Sequence, residues 1–313
     1  MPSFCSEDEF IKIWKEVGSP AEIARRLGVG VRTVYKRRRN IEENRGIELN
    51  SSMHSSDSVV EITPPRLGFD FADGSVIVFS DAHFWPETDT TAYRALLKFV
   101  ADIKPKAVVC NGDAFDGSSI SRHPPIGWEA LPTVKQELDA VEDHLTRIQD
   151  ISGKAELFWP LGNHDARYET KLATNVPEYR GVINFHLKDH FERWRPSWSV
   201  WINNTVFKHR FKGGEHAAWN NVIRSGKSIA TGHLHQLWYR AYRDYNGVRY
   251  GIDTGTLADV DGPQFVDYTE DNPKTWNSGF FVLTYRNGVL LQPEMVIVVD
   301  EGVVEFRGQQ IGV

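Results

Sequence analysis

Three short apolar runs, "SVIVFSDAH", "AVVCNGDAF" and "ELFWPLGNHD", each break into polar residues at their carboxyl end. Their β-branched and aromatic content predicts strands. Between them, "DTTAYRALLKFVADI" and "VKQELDAVEDHLTRIQDI" repeat apolar positions at helical spacing. The alternation predicts an α/β domain over residues 63–313, with polar residues at the carboxyl ends of its strands, where open α/β sheets build their sites. The later run "GFFVLTYRNGVLLQPEMVIVVDEGVVEFRG" alternates and is punctuated by turns. It is expected to supply the closing strands of a second sheet, without chemistry of its own.

A different pattern fills residues 1–48. "EDEFIKIWKEVG" gathers Phe10, Ile13, Trp14 and Val17 on one helical face. In "SPAEIARRLGVGVRTVYKRRRNIEE", Ser19 reads as N-cap and Pro20 as the first helical residue; Ile23, Ala24 and Leu27 share a face before Gly28 stops the helix. A further helix opens after Gly30, expected to bury Val34 with Val31 or Tyr35 and to turn Arg32, Thr33, Lys36, Arg37 and Arg39 outward. This small three-helix domain resembles a helix-turn-helix domain. The resemblance implies that its last helix enters a DNA major groove and that those five side chains contact DNA. A three-helix module for protein contacts or assembly is the competing reading. Residues 50–58, "NSSMHSSDS", lack an apolar pattern, so residues 49–62 are expected to be a flexible linker.

Charge sharpens that division. Residues 1–50 sum to +2, leaving −8 of the total of −6 for the remainder, and residues 25–39 hold seven basic side chains and no acid. A basic block on an acidic chain points to a polyanion partner. Cys5 and Cys110 are the only cysteines, which excludes a disulfide framework and a thiolate-rich zinc module and points to a reducing compartment. No apolar run has membrane-spanning length, and "MPSFCSEDEF" carries acids where a signal peptide is basic. A cytoplasmic protein without a membrane partner is expected.

The strand ends offer Asp81-x-His83, Gly112-Asp113 and Gly162-Asn163-His164-Asp165; later come His209 in "VFKHRF" and His233 and His235 in "ATGHLHQ". Carboxylate, imidazole and amide oxygen without sulfur suit divalent transition metals, and two ions can share a carboxylate. In this order, D-x-H, G-D-x-x-D, G-N-H-D, H and G-H-x-H resemble the calcineurin-like metallophosphoesterase superfamily. The resemblance implies a four-layer α/β/β/α sandwich with a two-metal site at the strand ends. It implies Asp81, His83 and His235 for the first metal, Asn163, His209 and His233 for the second, and Asp113 between them. Manganese is the first choice for the two divalent ions, with iron, zinc or nickel as alternatives. The family often places glycine after the histidine that His209 matches, and here Arg210 follows. The rival His216 lies in "GGEHAAWNNVIRS", which reads as a helix start.

By the same resemblance His164 is the imidazole that protonates the leaving oxygen or stabilises phosphoryl charge, and Asp116 orients it. A water held between the cations loses its proton near neutral pH and attacks phosphorus. Asp165 is expected to support the site or cap a helix. Arg122, His123 and Arg167 are expected at the substrate phosphate, with loop packing the other reading of His123. His144, on a helix of charged residues, is expected to carry no chemistry, and His186 and His190 are expected to be surface or structural; His54 falls in the linker.

Protein Ser/Thr phosphatases of the superfamily read G-D-x-x-D-R-G and G-N-H-E, where this chain has Gly117 and Asp165. The G-H-x-H ending resembles the branch of repair exonucleases, small phosphodiesterases and lipid-precursor hydrolases. With a DNA-binding head, and a basic rim expected from Arg167, Arg193, Arg195, Lys208, Arg210 and Lys212, the sequence predicts a two-metal phosphodiesterase that acts on DNA as a nuclease. The tryptophans of "WRPSWSVWINN" are expected to line a core strand or stack bases. The alternatives are an enzyme for a small nucleotide or other small phosphoester whose head serves assembly, and a DNA-binding regulator with a non-catalytic phosphoesterase domain.

Overall fold

The computed structural model describes residues 5–17, 20–47, 49, 63–123, 131–262, 265, 272 and 274–313. The Ser19 cap, His54 and nearly all of the serine-rich linker fall outside the described residues. The chain divides into two compact units, Met1–Ile62 and Thr63–Val313.

The first unit holds three helices, α1 (Glu7–Val17), α2 (Pro20–Leu27) and α3 (Val31–Arg45). Phe10, Trp14, Ile23, Ala24, Val34 and Ile41 form its core. Gly28 ends α2 with φ 63°, a conformation glycine adopts at no steric cost. Arg45 at the end of α3 reaches back to Glu7 at 2.9 Å and Asp8 at 2.5 Å. Val34 is buried in this core without the expected partners, since Val31 and Tyr35 are 41% and 51% exposed, and Ile41 is the other residue of α3 in the core. The helix is amphipathic one turn further along than its start suggests.

The second unit contains two sheets. Its elements are β1 (Leu67–Phe69), β2 (Gly74–Phe79), α4 (Thr91–Ile103), β3 (Ala107–Cys110), α5 (Val134–Ile151), β4 (Glu156–Pro160), α6 (Asp165–Asn175), β5 (Arg195–Ser197), β6 (Val200–Ile202), β7 (Thr205–Phe207), α7 (Ala217–Ser225), β8 (Ser228–Thr231), β9 (Leu237–Asp244), β10 (Gly247–Thr254), β11 (Gly279–Arg286), β12 (Val289–Leu290), β13 (Glu294–Asp300), β14 (Val303–Phe306) and β15 (Gln309–Gly312). A nine-stranded sheet runs β15-β14-β13-β11-β2-β3-β4-β5, with β12 on β11, and a six-stranded sheet runs β1-β6-β7-β8-β10-β9.

Strand alternation sorts the layers. Val76, Val78 and Val109 face Val200, Ile202, Phe207 and Ile252 between the sheets. Ile77, Phe79, Val108 and Cys110 face the opposite way, onto Leu96 and Val100 of α4 and Val141, Leu145 and Ile148 of α5. Helix α7 covers the other sheet, against β8, β9 and β10. The layering is helix, sheet, sheet, helix. Strands β2 to β5 pair in parallel, as do β7, β8 and β10, so polar loops gather at their carboxyl ends.

One expectation needs correction. The C-terminal strands do not close a second sheet: β11 pairs antiparallel with β2, which extends the sheet that carries the first motifs. Phe280 to Leu283 are buried on both faces, as an interior strand requires. His144 lies on the helix of charged residues as expected, but on its buried face. It is buried, stacks on Phe84 at 4.4 Å, and lies 2.7 Å and 3.1 Å from the carbonyls of Ala140 and Thr88.

Gly251 of β10 lies where α7 crosses, and a Cβ there would stand 1.8 Å from the Ala218 carbonyl oxygen. Gly251→Ala is expected to destabilise the protein by about 3 kcal/mol, because backbone must move to admit one methyl; a thermal melt checks this.

Candidate metal centre

Five loops meet at the strand ends. Asp81 and His83 follow β2, Asp113 and Asp116 follow β3, Asn163 to Asp165 follow β4, His209 follows β7, and His233 and His235 follow β8. Asp81, His83, Asp113, His233 and His235 have φ of 50°, 41°, 54°, 75° and 56°. Left-handed backbone at a residue other than glycine costs about 1–3 kcal/mol where it is strained, and it concentrates where side chains must be aimed.

The glycines of the motifs have a steric reason. A Cβ on Gly162 would stand 2.0 Å from Asp113 Oδ1, one on Gly112 2.5 Å from His209 Nδ1, and one on Gly232 2.6 Å from Asp81 Oδ2. Each glycine lets a backbone pass directly against a ligand candidate.

Asp81, His83 and His235 each bring a donor atom within 4.8 Å of the others, and so do Asp113, His209 and His233. His235 Nε2 lies 3.3 Å from Asp81 Oδ1, and His209 Nε2 lies 3.0 Å from Asp113 Oδ2. His209 Nδ1 donates to the Asn111 carbonyl at 2.9 Å, which aims Nε2 at the carboxylate. Asp81 accepts the His233 backbone N–H at 3.0 Å and 2.9 Å, and Asp113 accepts that of His164 at 2.8 Å. Asn163 Oδ1 and His235 Nδ1 are buried with no hydrogen-bond partner among the described residues. Asn163 shares a cavity wall with His209 and His233. A buried oxygen left unsatisfied costs about 1–3 kcal/mol. With oxygen and nitrogen donors and no thiolate, these residues fit a pair of divalent ions.

Burial works to raise the pKa of Asp81 and Asp113, but neighbouring imidazoles outweigh it. His235 and His209 hold Asp81 low, and His209, with His164 and His83 behind it, holds Asp113 well below the usual carboxylate range. Burial likewise works against the charged form of His209, yet Asp113 and Asp81 push it up to about 9.

A third grouping joins His83, Asp116 and His164. Asp116 Oδ1 lies 2.7 Å from His83 Nδ1 and 3.0 Å from His164 Nδ1, so one oxygen orients both a ligand candidate and the acid candidate. His164 Nε2 faces Asp113 Oδ2 at 3.9 Å and the Arg167 guanidinium at 3.2 Å. Burial works to lower the pKa of His164; Asp116 and Asp113 more than offset it and raise it. Arg167 also donates to the Asp116 carbonyl at 2.9 Å.

Two supporting residues carry more than the sequence suggested. Asp165 accepts five hydrogen bonds: from the backbone N–H of Asp113 and Gly162 at 2.8 Å, from Ala114 and Phe115 at 3.0 Å, and from the Trp159 indole at 3.1 Å. Burial, with the Asp113 charge behind it, pushes its carboxyl up to about 6. All five partners donate, so the ionised form is the one this loop is built around. Buried Glu137 of α5, singled out by no motif, accepts from the backbone N–H of Gly117 at 2.8 Å and of Ser118 at 3.0 Å, pinning the loop beyond Asp116. Its signal was its place on the apolar face of α5, one turn before Val141 and two before His144.

Other expected residues fall elsewhere. Arg122 and His123 are exposed and contact each other at 3.4 Å. Arg195 pairs with Glu156 at 3.0 Å, at the amino end of β4, and Arg193 bonds the Gln149 and Gly153 carbonyls; both lie at the wrong end of the sheet for a rim. His216 is exposed at the start of α7, outside all three groupings. In the first unit Arg32, Thr33, Lys36 and Arg39 are exposed on α3, whereas Arg37 is half-buried and donates to the Cys5 carbonyl at 3.3 Å.

Asp165→Asn places an NH2 against a cage of donors. It is expected to cost about 2–4 kcal/mol of stability, read by denaturant unfolding, and to loosen both the Asp113 and the Gly162 loops at once.

Residues 74–266, more than half of the chain, match the calcineurin-like phosphoesterase family. The Gene 54 proteins of Mycobacterium phages D29 and L5 are each 26% identical over 263 residues, covering 72% of this chain and 93% of the phage protein. A structure of Yfce, a phosphoesterase from E. coli, is similar over 76% of this chain and 98% of its own, at 13% identity and a TM-score of 0.35; so remote a likeness carries nothing of that enzyme's activity here. By the family match, which spans every one of the clustered acids and histidines, the chain belongs to the calcineurin-like phosphoesterases.

Proposed function

We propose that the protein is a two-metal phosphodiesterase acting on DNA as a nuclease, with its N-terminal unit serving as a DNA-binding helix-turn-helix. The observation that carries the phosphoester chemistry is the Asp116–His164 pair set beside Asp113. Asp81, His83 and His235 would hold one ion, Asn163, His209 and His233 the other, and Asp113 would serve both. Bound there, divalent ions such as Mn²⁺ lower the pKa of water and neutralise phosphoryl oxygens.

The protein's own groups supply the rest. Asp116 holds the Nδ1 proton of His164, which leaves Nε2 as the atom that carries a proton to the leaving oxygen. Arg167, whose guanidinium donates to that nitrogen at 3.2 Å in the resting site, would turn its N–H to the phosphoryl oxygens once Nε2 is protonated and so place a fixed positive charge where phosphoryl charge develops. Phe265 and Trp276 pack on the rings of His83 and His235 and cover them on that flank.

What supports DNA as substrate is the exposed basic face of α3, with Arg32, Lys36 and Arg39 turned to solvent on an otherwise acidic chain. Tethering such a face to a hydrolase raises the hydrolase's concentration at DNA. Among the described residues no helix is long and apolar enough to cross a membrane.

The test is cleavage of end-labelled single- and double-stranded DNA with Mn²⁺ at stated salt. His164→Ala is expected to retain metal while lowering kcat about 10²-fold or more. Asp113→Asn is expected to abolish turnover, because both ions lose a shared ligand. Combined Arg32→Ala, Lys36→Ala and Arg39→Ala is expected to weaken DNA binding and to flatten its logarithmic salt dependence by about one unit of slope for each cation that meets a phosphate. Intact DNA beside brisk hydrolysis of an aryl phosphodiester would discard the nuclease and favour a small phosphoester.

A further inference from the structure

The two flanks of the metal centre are built differently. On the Asp81 side, Trp276 lies 4.4 Å from the ring of His235, Phe265 lies 5.5 Å from that of His83, and the two aromatics meet at 5.1 Å. Among the described residues, these two rings cover that side. On the other side Asn163, His209 and His233 open directly onto a cavity of about 520 Å³.

This cavity has an unusual lining. Lys208, Arg210 and Lys212 contribute to it, and no carboxylate does. Among the described residues none of these three cations has an acidic partner within 4.0 Å, in contrast to Arg195 with its Glu156. Two aromatic rings complete the lining, Trp198 at 44% and Phe211 at 41% exposure. Trp198 stays in solvent while Trp194, four residues earlier on the same segment, is buried in the core.

Exposed rings beside unpaired cations suit a polyanion whose flat groups are free to stack. In a duplex the base faces are stacked on one another, so only an unpaired strand can present its bases to Trp198 and Phe211 while its phosphates meet the cations. We infer that the cavity lined by Trp198, Lys208, Arg210, Phe211 and Lys212 is a binding site for single-stranded DNA flanking the scissile phosphate. Because it opens on Asn163, His209 and His233, a strand seated there leads its backbone to the second ion position. This inference rests on the phosphodiesterase reading of the centre and adds the form of its substrate.

Two experiments on the full chain test it. Pentathymidylate, too short for a stable duplex, is added as a competitor of aryl phosphodiester hydrolysis with Mn²⁺. Trp198→Ala and Phe211→Ala are each expected to raise its Ki about tenfold, the scale of one base stack; Trp198→Phe retains the wild-type value within a few-fold, and Trp238→Ala, an exposed tryptophan outside the cavity, leaves it unchanged. Independently, a pentamer carrying 4-thiothymidine is photo-cross-linked and the adducts are mapped by mass spectrometry, with adducts expected on the peptides holding Trp198 and Phe211.

Unchanged Ki in both alanine variants, adducts confined to residues 1–48, or tighter binding of pentauridylate than of pentathymidylate would overturn the inference. Adducts at Trp198 or Phe211 without any aryl diester hydrolysis would uphold the groove while removing the catalytic reading on which the substrate's cleavage depends.

Discussion

Four carboxylates, Asp81, Asp113, Asp116 and Asp165, crowd into one end of the sandwich, each less than a tenth exposed. Cut off from water, like charges at such range repel strongly and would be driven to take up protons. The structure answers each in its own way. Asp165 is caged by five N–H donors. Asp116 is shared by two imidazoles. Asp81 and Asp113 rest on His235 and His209, and their remaining negative potential is what divalent cations would neutralise. The unusual backbone follows from this crowd, because aiming so many polar groups at one point leaves no room for ordinary strand continuation. Left-handed turns at five ligand candidates and glycines packed against carboxylate or imidazole atoms are its local consequences.

The surrounding layers make that arrangement tolerable. Strands β2, β3 and β4 are buried on both faces along most of their length, so apolar packing holds the ends from which the loops spring. Backbone strain of a few kcal/mol in the loops is small beside such a core. Helix α5 contributes to the centre through Glu137, which grips the loop after Asp116, and to the core through Val141 and Ile148. One helix therefore fixes both the packing and the acid pair.

Much of this was legible in the sequence because the chemistry is written in contiguous motifs at strand ends, where period and polarity change together. The same holds for the short turn between Gly28 and Gly30, which depends on local conformation alone. What escaped depended on partners far along the chain. Nothing in "GFFVLTYR" says that β11 will pair with β2 rather than enter the other sheet. Arg193 and Arg195 look like rim residues until β4 is seen to bring Glu156 beside one of them, at the end away from the site. At His144 composition says only that the helix is charged, while its spacing from Ala140 and Val141 puts it on the buried face. The left-handed φ values left a trace only at Asp113 and His233, each preceded by a glycine.

The central claim is that this crowd of buried acids and histidines forms one site for two ions that share Asp113. Metal content and electron paramagnetic resonance of the Mn²⁺-loaded protein test it most directly. The account predicts two Mn²⁺ per chain with a spin-coupled signal, which requires a bridging ligand between neighbouring ions. A single ion per chain, or two ions with independent signals, would contradict it.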